Sequence, residues 1–265
     1  MSATPDESMA GSKTALVVTV CLAQFMVVLD ATVTNVALPT IARHLHFTSG
    51  DLQWVVTAYT LAFGGFLLLG GRSADLFGRR RLFTLGAAIF TVASLSNALA
   101  QSPTALIVSR AAQGIGAALI SPAALSIITT STAQGQERRR ALGIFAAISA
   151  GGGGIGLVLG GVLVTYLSWR WVFFINLPVG VGAILLARSY VPESHARHRA
   201  GSFDLAGAML ITASLALLIY AVTEANRYGW LSARTVGFGI TSLVLFAAFL
   251  ATEARLAAPL VPLSI

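Results

Sequence analysis

Two ionisable side chains of opposite charge interrupt long apolar stretches of this sequence. Asp30 ends the stretch "CLAQFMVVLD" and Arg110 follows "TALIVS". Because a charge at the centre of a membrane helix costs about 2.5–3.5 kcal/mol on insertion scales, such residues are candidates for function by default. A buried aspartate can exchange a proton, since burial disfavours its charged form and a nearby cation favours it. A fixed ion pair that only joins two helices is the alternative.

The depths of the two charges can be compared from the helix rise. If the first apolar helix ends near Leu38, Asp30 lies about 12 Å below that end at 1.5 Å per residue. If the helix of Arg110 begins near Thr104 on the same side, Arg110 lies about 9 Å below it. The levels match roughly. We therefore predict that Asp30 and Arg110 form an ion pair, or share a water cavity, and take part in proton coupling.

The composition indicates a membrane protein that is built from helices. Of the 265 residues, 56% are hydrophobic and 10% charged, and the mean hydropathy is +0.81. Apolar runs of about 20 residues can cross a bilayer as helices, and these runs are too long for barrel strands. A very apolar soluble helical protein is the alternative. The sequence predicts eight spans, at 15–38, 52–71, 82–100, 104–128, 141–166, 171–191, 205–223 and 235–252.

The basic residues predict how these spans are oriented. The net charge of +7 comes largely from arginines between apolar runs, which favours membrane topology over nucleic-acid binding. Positive loops stay preferentially in the cytoplasm, and the count fits a multi-pass protein of the cell membrane with a cytoplasmic N-terminus. The first run is too long for the core of a signal peptide, so we expect it to remain as a span. Cys21 is the single cysteine, so no disulfide within the chain is expected.

The most basic stretch, "GRSADLFGRRRLF" (71–83), lies between the second and third predicted spans. Glycines permit a tight turn, and an aspartate near a helix start can complement the helix dipole. A basic cytoplasmic loop with no further role would explain this stretch by itself. The residues that mark it are Gly71, Asp75, Gly78, Arg79 and Arg80.

Four motifs in chain order carry a resemblance to a known family. The stretch 71–83 resembles motif A of the major facilitator superfamily, and "LIVSRAAQGIGAA" (106–118) resembles its motif B. "LDATVTNVALP" (29–39) and "WRWVFFINLPVG" (169–180) resemble signatures of its fourteen-helix drug:proton antiporter branch. Within motif A, Ser73 replaces the usual leucine and Leu76 the usual second basic residue.

The resemblance implies roles for individual positions. Arg110 matches the motif B arginine that is tied to proton coupling. Asp75, with Arg79 as its partner, matches the loop that stabilises one state of the alternating-access cycle. Helices 1 and 4 would be equivalent members of two inverted three-helix repeats that line the central cavity. Gln113 shares the helical face of Arg110 and is a candidate for lining that cavity.

Aromatic and histidine residues give weaker signals. Trp54 and Tyr59 flank the outer part of the second span, where interface anchoring is the ordinary role of aromatic residues and substrate stacking is the alternative. The histidines have no thiolate or carboxylate cluster nearby, so solvated side chains are expected rather than metal ligands. We predict no metal, no cofactor and no catalytic residue, and hence a protein that is not an enzyme. The four histidines are His44, His46, His195 and His198.

A glycine-rich stretch, "GGGGIGLVLGG" (151–161), lies within the fifth predicted span. Small residues repeated every four positions let membrane helices approach closely, so we expect a packing stripe on this helix. The stretch also lies where the family has motif C, which is associated with antiporters, but Leu157 stands in the place of its proline. The predicted packing residues are Gly152, Gly156, Gly160 and Gly161.

The predicted organisation follows from the spans. We expect a cytoplasmic tail (1–14), a six-helix bundle (15–191), a basic linker (192–204), two additional transmembrane helices (205–252) and the start of a continuation (253–265). The resemblance implies a truncated N-terminal part of a transporter that exchanges protons for amphipathic or cationic small molecules. The expected partners are the substrate, protons, the bilayer and a missing C-terminal bundle. A metabolite exporter, an uptake carrier of the same fold, or a non-transporting segment with an assembly role are the alternatives.

Overall fold

The structure, a computed structural model, describes residues 5–48, 50–194 and 205–254. These residues form helices and connecting turns and contain no strand. The predicted all-helical fold is therefore confirmed for the described part of the chain. The helices are α1 (Pro5–Leu45), α2 (Trp54–Phe77), α3 (Arg79–Ala98), α4 (Pro103–Ser131), α5 (Gln136–Tyr166), α6 (Trp171–Phe174), α7 (Asn176–Tyr190), α8 (Leu205–Tyr228) and α9 (Ala233–Glu253).

Within these ranges, seven helical segments are long and apolar enough to cross a membrane, whereas the sequence predicts eight. The segment that falls short is α3, which begins with three arginines and carries Thr91, Ser94 and Asn97 on its buried side. These polar residues lower the hydropathy of α3, although the helix packs against α4 and α7 in the bundle. The third predicted span is thus a helix of the bundle that length and composition alone do not mark as membrane-spanning.

The helices extend beyond the predicted apolar runs, because hydropathy marks only the part that suits hydrocarbon. The largest difference is in α1, which begins at Pro5 and ends at Leu45, against predicted limits of 15 and 38. The predicted span 171–191 is divided at Ile175 into α6 and α7. Pro178 has no backbone N–H, so the carbonyl of Phe174 has no helical donor four residues ahead. Ile175 keeps a helical backbone conformation, with a φ of −60° and a ψ of −25°, and Asn176 is the first residue of α7.

The bundle is arranged around α1 and α4. One side of α1 packs on α5 and the other on α7, whereas α4 packs between α2 and α3. The α8–α9 hairpin lies against α2 and completes the described structure. Two groups of buried apolar side chains fill the bundle, one around Phe83, Phe90 and Ile127 and the other around Trp169 and Phe173.

Local sequence signals fix several helix boundaries. Ser102 caps α4 by accepting a hydrogen bond from the Ala105 N–H at 3.3 Å, and Pro103 occupies the first turn, where a missing N–H costs nothing. Gly78 separates α2 from α3 with a φ of 105°, a backbone conformation that residues with a side chain rarely adopt. Most of the predicted linker, with His195 and His198, and the continuation beyond 254 lie outside the described residues.

Candidate functional site: a buried polar network

Asp30 on α1 and Arg110 on α4 form an ion pair inside the bundle. Arg110 Nη1 lies 2.5 Å from Asp30 Oδ2, and the side chains of Arg110 and Asp30 are 1% and 0% exposed. The pair joins α1 to α4, as predicted, but the predicted depths do not hold. Because α1 continues to Leu45, Asp30 lies about 22 Å from the end of α1, whereas Arg110 lies about 10 Å from the start of α4, at 1.5 Å per residue. Because protein encloses both charges, the ionised pair is stabilised by its own contacts and by neighbouring dipoles rather than by water.

The second carboxylate oxygen of Asp30 accepts two further hydrogen bonds. Gln113 Nε2 and Asn176 Nδ2 each donate to Asp30 Oδ1 at 2.8 Å. The same two amide groups also donate to Ser94 Oγ, at 2.8 Å from Gln113 and 3.3 Å from Asn176. Asp30 therefore has three donors from α4 and α7, and Ser94 of α3 holds two of these donors in place.

Arg110 has its own set of partners. Its Nη1 also donates to Gln113 Oε1 at 2.6 Å, and its Nε donates to the backbone carbonyl of Val55 at 3.0 Å. The Arg110 guanidinium carbon lies 4.3 Å from the centroid of the Tyr59 ring and 5.9 Å from that of Phe173. Aromatic faces stabilise a cation most where water is excluded, so these rings also stabilise the positive charge of Arg110.

The amide of Gln113 connects both members of the ion pair. It donates to Asp30 and accepts from Arg110, and its Oε1 also accepts from Asn97 Nδ2 at 2.7 Å. Gln113, Asn97, Asn176 and Ser94 are each 0% exposed. We call the set Asp30, Ser94, Asn97, Arg110, Gln113 and Asn176 the polar network.

Sequence reasoning missed three members of this network, namely Ser94, Asn97 and Asn176. Each is a neutral polar residue in an apolar stretch, and its role depends on contacts with other helices. A signal was present on α3, where Thr91, Ser94 and Asn97 recur every three residues and so share one face. Asn176 lies within the signature 169–180, but that stretch alone does not indicate its contact with Asp30.

The structure places the predicted cavity residues in other surroundings than expected. Gln113 is 0% and Tyr59 is 5% exposed, so neither side chain faces an open cavity in this conformation. Both are occupied by their contacts with Arg110. Trp54 packs against Tyr220 of α8, with ring centroids 5.7 Å apart. This contact joins α2 to the α8–α9 hairpin.

Three of the four predicted packing glycines lie against α1. A Cβ atom at Gly152 would meet Val28 at 3.1 Å, and one at Gly160 would meet the Cα atom of Val33 at 3.2 Å. At Gly156 it would overlap the hydroxyl of Thr32 and lie 2.9 Å from Thr32 Cβ. The surroundings of Gly161 differ from the expectation. It is rotated off this stripe by one residue, and no described neighbouring atom lies within 4 Å of where its Cβ would be.

A second set of charges lies where α2 meets α3. We call the stretch from Asp75 at the end of α2 to Arg81 at the start of α3 the basic turn. Arg79 donates from Nη2 and Nε to Asp75 Oδ1, at 2.9 and 3.2 Å. Glu193, which follows α7, accepts from the backbone N–H of Arg80 at 3.2 Å and lies 3.6 Å from Nε of both Arg80 and Arg81. The turn is thereby tied to the end of the six-helix bundle. Glu193 is a partner that the motif does not indicate.

Gly71 precedes this turn on α2 and faces Pro122 of α4, which a Cβ would meet at an ordinary 3.5 Å. Among the described residues, no group of three or more metal-ligating side chains is close enough to hold a metal ion. The polar network offers one buried carboxylate, one buried guanidinium cation and neutral hydrogen-bonding groups. Such a set can bind and release a proton or hold helices together.

The bundle of long apolar helices with an enclosed ion pair defines a multi-pass membrane protein. The chain belongs to the Major Facilitator Superfamily, whose family model matches residues 20–261.

The chain is similar to curated resistance and export proteins of bacteria. It is 44% identical over 245 residues to the puromycin resistance protein pur8 of Streptomyces alboniger, covering 92% of this chain and 48% of that protein. It is also 44% identical over 264 residues to the cephamycin export protein CmcT of Amycolatopsis lactamdurans, covering 98% and 54%. The chain thus spans about half the length of the curated relatives it matches.

Solved structures share the fold at low sequence identity. A peptide transporter POT in complex with sulfate has a TM-score of 0.66 and 15% identity, with 92% of this chain and 52% of that chain covered. The human organic anion transporter MFSD10 (TETRAN) has a TM-score of 0.59 and 19% identity, with 80% and 56% covered.

Proposed function

We propose that this chain is the N-terminal part of a proton-coupled exporter of amphipathic or cationic small molecules. The enclosed pair of Asp30 and Arg110 is the observation that carries the proposal. Its place between α1 and α4 suits a site whose charge state governs how these helices pack. The resistance and export functions in the names of the two relatives at 44% identity support export of an antibiotic-like substrate.

In this proposal, Asp30 exchanges the proton and Arg110 responds to its charge. The ionised carboxylate holds the guanidinium by a direct ion pair. Protonation removes that attraction and leaves Arg110 with the neutral oxygens of Gln113 and Val55 and the ring of Tyr59. Since an unpaired buried charge is unfavourable, the protonated state favours a rearrangement of α4 relative to α1.

The basic turn supplies the conformational switch. Asp75 and Arg79 join the end of α2 to the start of α3, and Glu193 joins α3 to the end of α7. Movement at this turn therefore affects three helices of the bundle. Gly78, with its positive φ, gives the turn its conformation.

The proposal also covers the orientation of the bundle in the membrane and its assembly with a second bundle. Lys13 of α1 pairs with Glu137 of α5 at 3.1 Å, which places the N-terminal part of α1 at the same end as Arg138–Arg140. By the positive-inside rule, this end lies in the cytoplasm and the protein lies in the cell membrane. Alternating access requires two bundles that move around a site between them, so a C-terminal bundle is the partner of this one.

The test is transport by the full-length protein in proteoliposomes with an imposed pH gradient. Puromycin and ethidium, an antibiotic and a lipophilic cation, are the probes. We expect accumulation that an uncoupler abolishes and that Asp30→Asn prevents. Uptake in the opposite direction would favour the carrier alternative. Gradient-independent movement, or none of either probe by correctly folded protein, would contradict proton-coupled export of this substrate class.

A further inference from the structure

The neutral side of the polar network has a geometry that ion pairing between Asp30 and Arg110 does not require. Asn176 begins α7 immediately after the break at Ile175, and its Nδ2 lies 2.8 Å from Asp30 Oδ1. The side chain is 0% exposed and is also 3.3 Å from Ser94 Oγ. Helix α7 thus supplies a donor to the carboxylate oxygen that Arg110 does not contact.

We infer that Asn176, oriented by Ser94, is a positioning residue of the proton site that stabilises the ionised form of Asp30 and so sets the pH at which Asp30 takes up a proton. This inference rests on the proposed proton coupling and deepens it. Asn176 acts through Asp30.

The groups that face Asp30 show why one donor matters. Arg110 of α4 and Tyr59 of α2 are the titratable side chains beside it, in the part of the chain that the structure describes. At this level of α1, α5 presents Gly152 and Gly156, which carry no charge. Helices α3 and α7 contribute the neutral groups Ser94 and Asn176.

A donor to a carboxylate favours the charged form, and the removal of that donor favours the protonated form. Asn176→Leu keeps the approximate size of the side chain and removes the donor. Proton uptake by Asp30 then takes place at a higher pH, by about one unit, the shift expected for one hydrogen bond to a charged group. Ser94→Ala leaves Asn176 and Gln113 without their shared acceptor and shifts the midpoint in the same direction by less.

A merely structural role for Asn176 predicts a different result. If the side chain only joins α7 to α1, its loss lowers stability and leaves the titration unchanged. Thr91→Val is the matched control, because Thr91 lies in the same α3–α7 interface, opposite Gly180, and its hydroxyl donates to Ala87 of its own helix at 2.7 Å. This variant removes a buried hydroxyl near the site without contact to Asp30.

The experiment is a pH titration of the full-length purified protein by infrared difference spectroscopy. The band of protonated Asp30 is identified by its absence in Asp30→Asn. We expect the midpoint of this band to move to higher pH in Asn176→Leu and, by less, in Ser94→Ala, and to stay in place in Thr91→Val. An unchanged midpoint in the folded variants Asn176→Leu and Ser94→Ala would overturn the inference.

The titration needs no substrate, so its failure can be told apart from failure of the proposed function. If the midpoint is unchanged in Asn176→Leu and the protein still shows gradient-driven transport, only the inference is contradicted. No Asp30-dependent band at any pH at which the protein stays folded contradicts proton exchange at Asp30, and with it both proposals. If Asn176→Leu does not fold, Ser94→Ala decides the outcome.

Discussion

Asp30 Oδ2 and Arg110 Nη1 lie 2.5 Å apart, although 80 positions separate the two residues in the sequence. Both side chains are enclosed by protein, and the pair joins the two helices around which the bundle is arranged. Removal of one member of a buried pair is destabilising by about 3–5 kcal/mol, since the other charge stays buried without compensation. The pair therefore links stability to charge state.

The first prediction separates the loss of the ion pair from the burial of an unpaired charge. Arg110→Gln should lower the unfolding temperature of the full-length protein, because the ionised Asp30 loses its cation. The double variant Asp30→Asn with Arg110→Gln should regain part of this stability, because no buried charge remains. Thermal unfolding in detergent measures both.

In the double variant, we expect transport to stay lost although stability is partly regained. A neutral pair has no proton to exchange, so we expect no gradient-driven efflux from Asp30→Asn with Arg110→Gln even where its unfolding temperature recovers. Efflux near that of the wild type from this variant would show that the pair has only a structural role.

The sequence predicts the pairing of these two charges but not their surroundings. Two charges in apolar runs are conspicuous, but the rise per residue does not give their depths, because α1 continues to Leu45 rather than ending near Leu38. Asn176 lies in the signature 169–180, but nothing local indicates its contact with Asp30, because that contact joins residues 146 positions apart. Its position beside Asp30 is a property of the packed bundle. The same holds for Glu193, whose contacts with the basic turn depend on where α7 ends.

The second prediction concerns the stripe of glycines on α5. Gly156→Ala should destabilise the protein, because the added Cβ would overlap the Thr32 side chain of α1. Gly154 is the matched control. It lies in the same helix, and no described neighbouring atom is within 4 Å of its Cβ position. Gly154→Ala should be neutral or stabilising by up to about 1 kcal/mol, the difference in helix propensity.

Thermal unfolding of the two glycine variants, measured side by side, tests this contact. Equal unfolding temperatures for Gly156→Ala and Gly154→Ala would mean that α5 does not pack closely on α1 at this level.

The third prediction concerns the basic turn. The side chain of Asp75 is 36% exposed, so Asp75→Asn should change the unfolding temperature little, as expected for a partly solvated ion pair worth about 0–1 kcal/mol. If the turn acts as a conformational switch, the same variant should slow transport by the full-length protein. An unaffected transport rate at equal expression would leave the turn with a structural role only.

The last prediction concerns the attachment of the α8–α9 hairpin to the bundle. Three aromatic rings and one arginine form this contact: Trp54 of α2 lies 5.7 Å from Tyr220 of α8, and Tyr220 lies 4.9 Å from Phe238 of α9. Arg234 donates to the Tyr220 hydroxyl at 2.9 Å. Farther along α2, a Cβ at Gly65 would meet the backbone oxygen of Thr212 at 3.6 Å, so α2 and α8 also pack together there.

Trp54→Ala should therefore loosen the hairpin while the six-helix bundle stays folded, because the lost ring lies between α2 and α8 and not among the buried side chains of the bundle. Hydrogen exchange of the full-length protein should show faster exchange in α8 and α9 and unchanged exchange in α3 and α4. Trp171→Ala is the control, since Trp171 is 48% exposed on α6 and its ring lies tilted against that of Phe174 in the same segment, with centroids 5.6 Å apart. If Trp54→Ala leaves exchange in α8 unchanged but prevents binding of a fluorescent substrate such as ethidium, Trp54 contacts the substrate and its packing on Tyr220 contributes little to holding the hairpin.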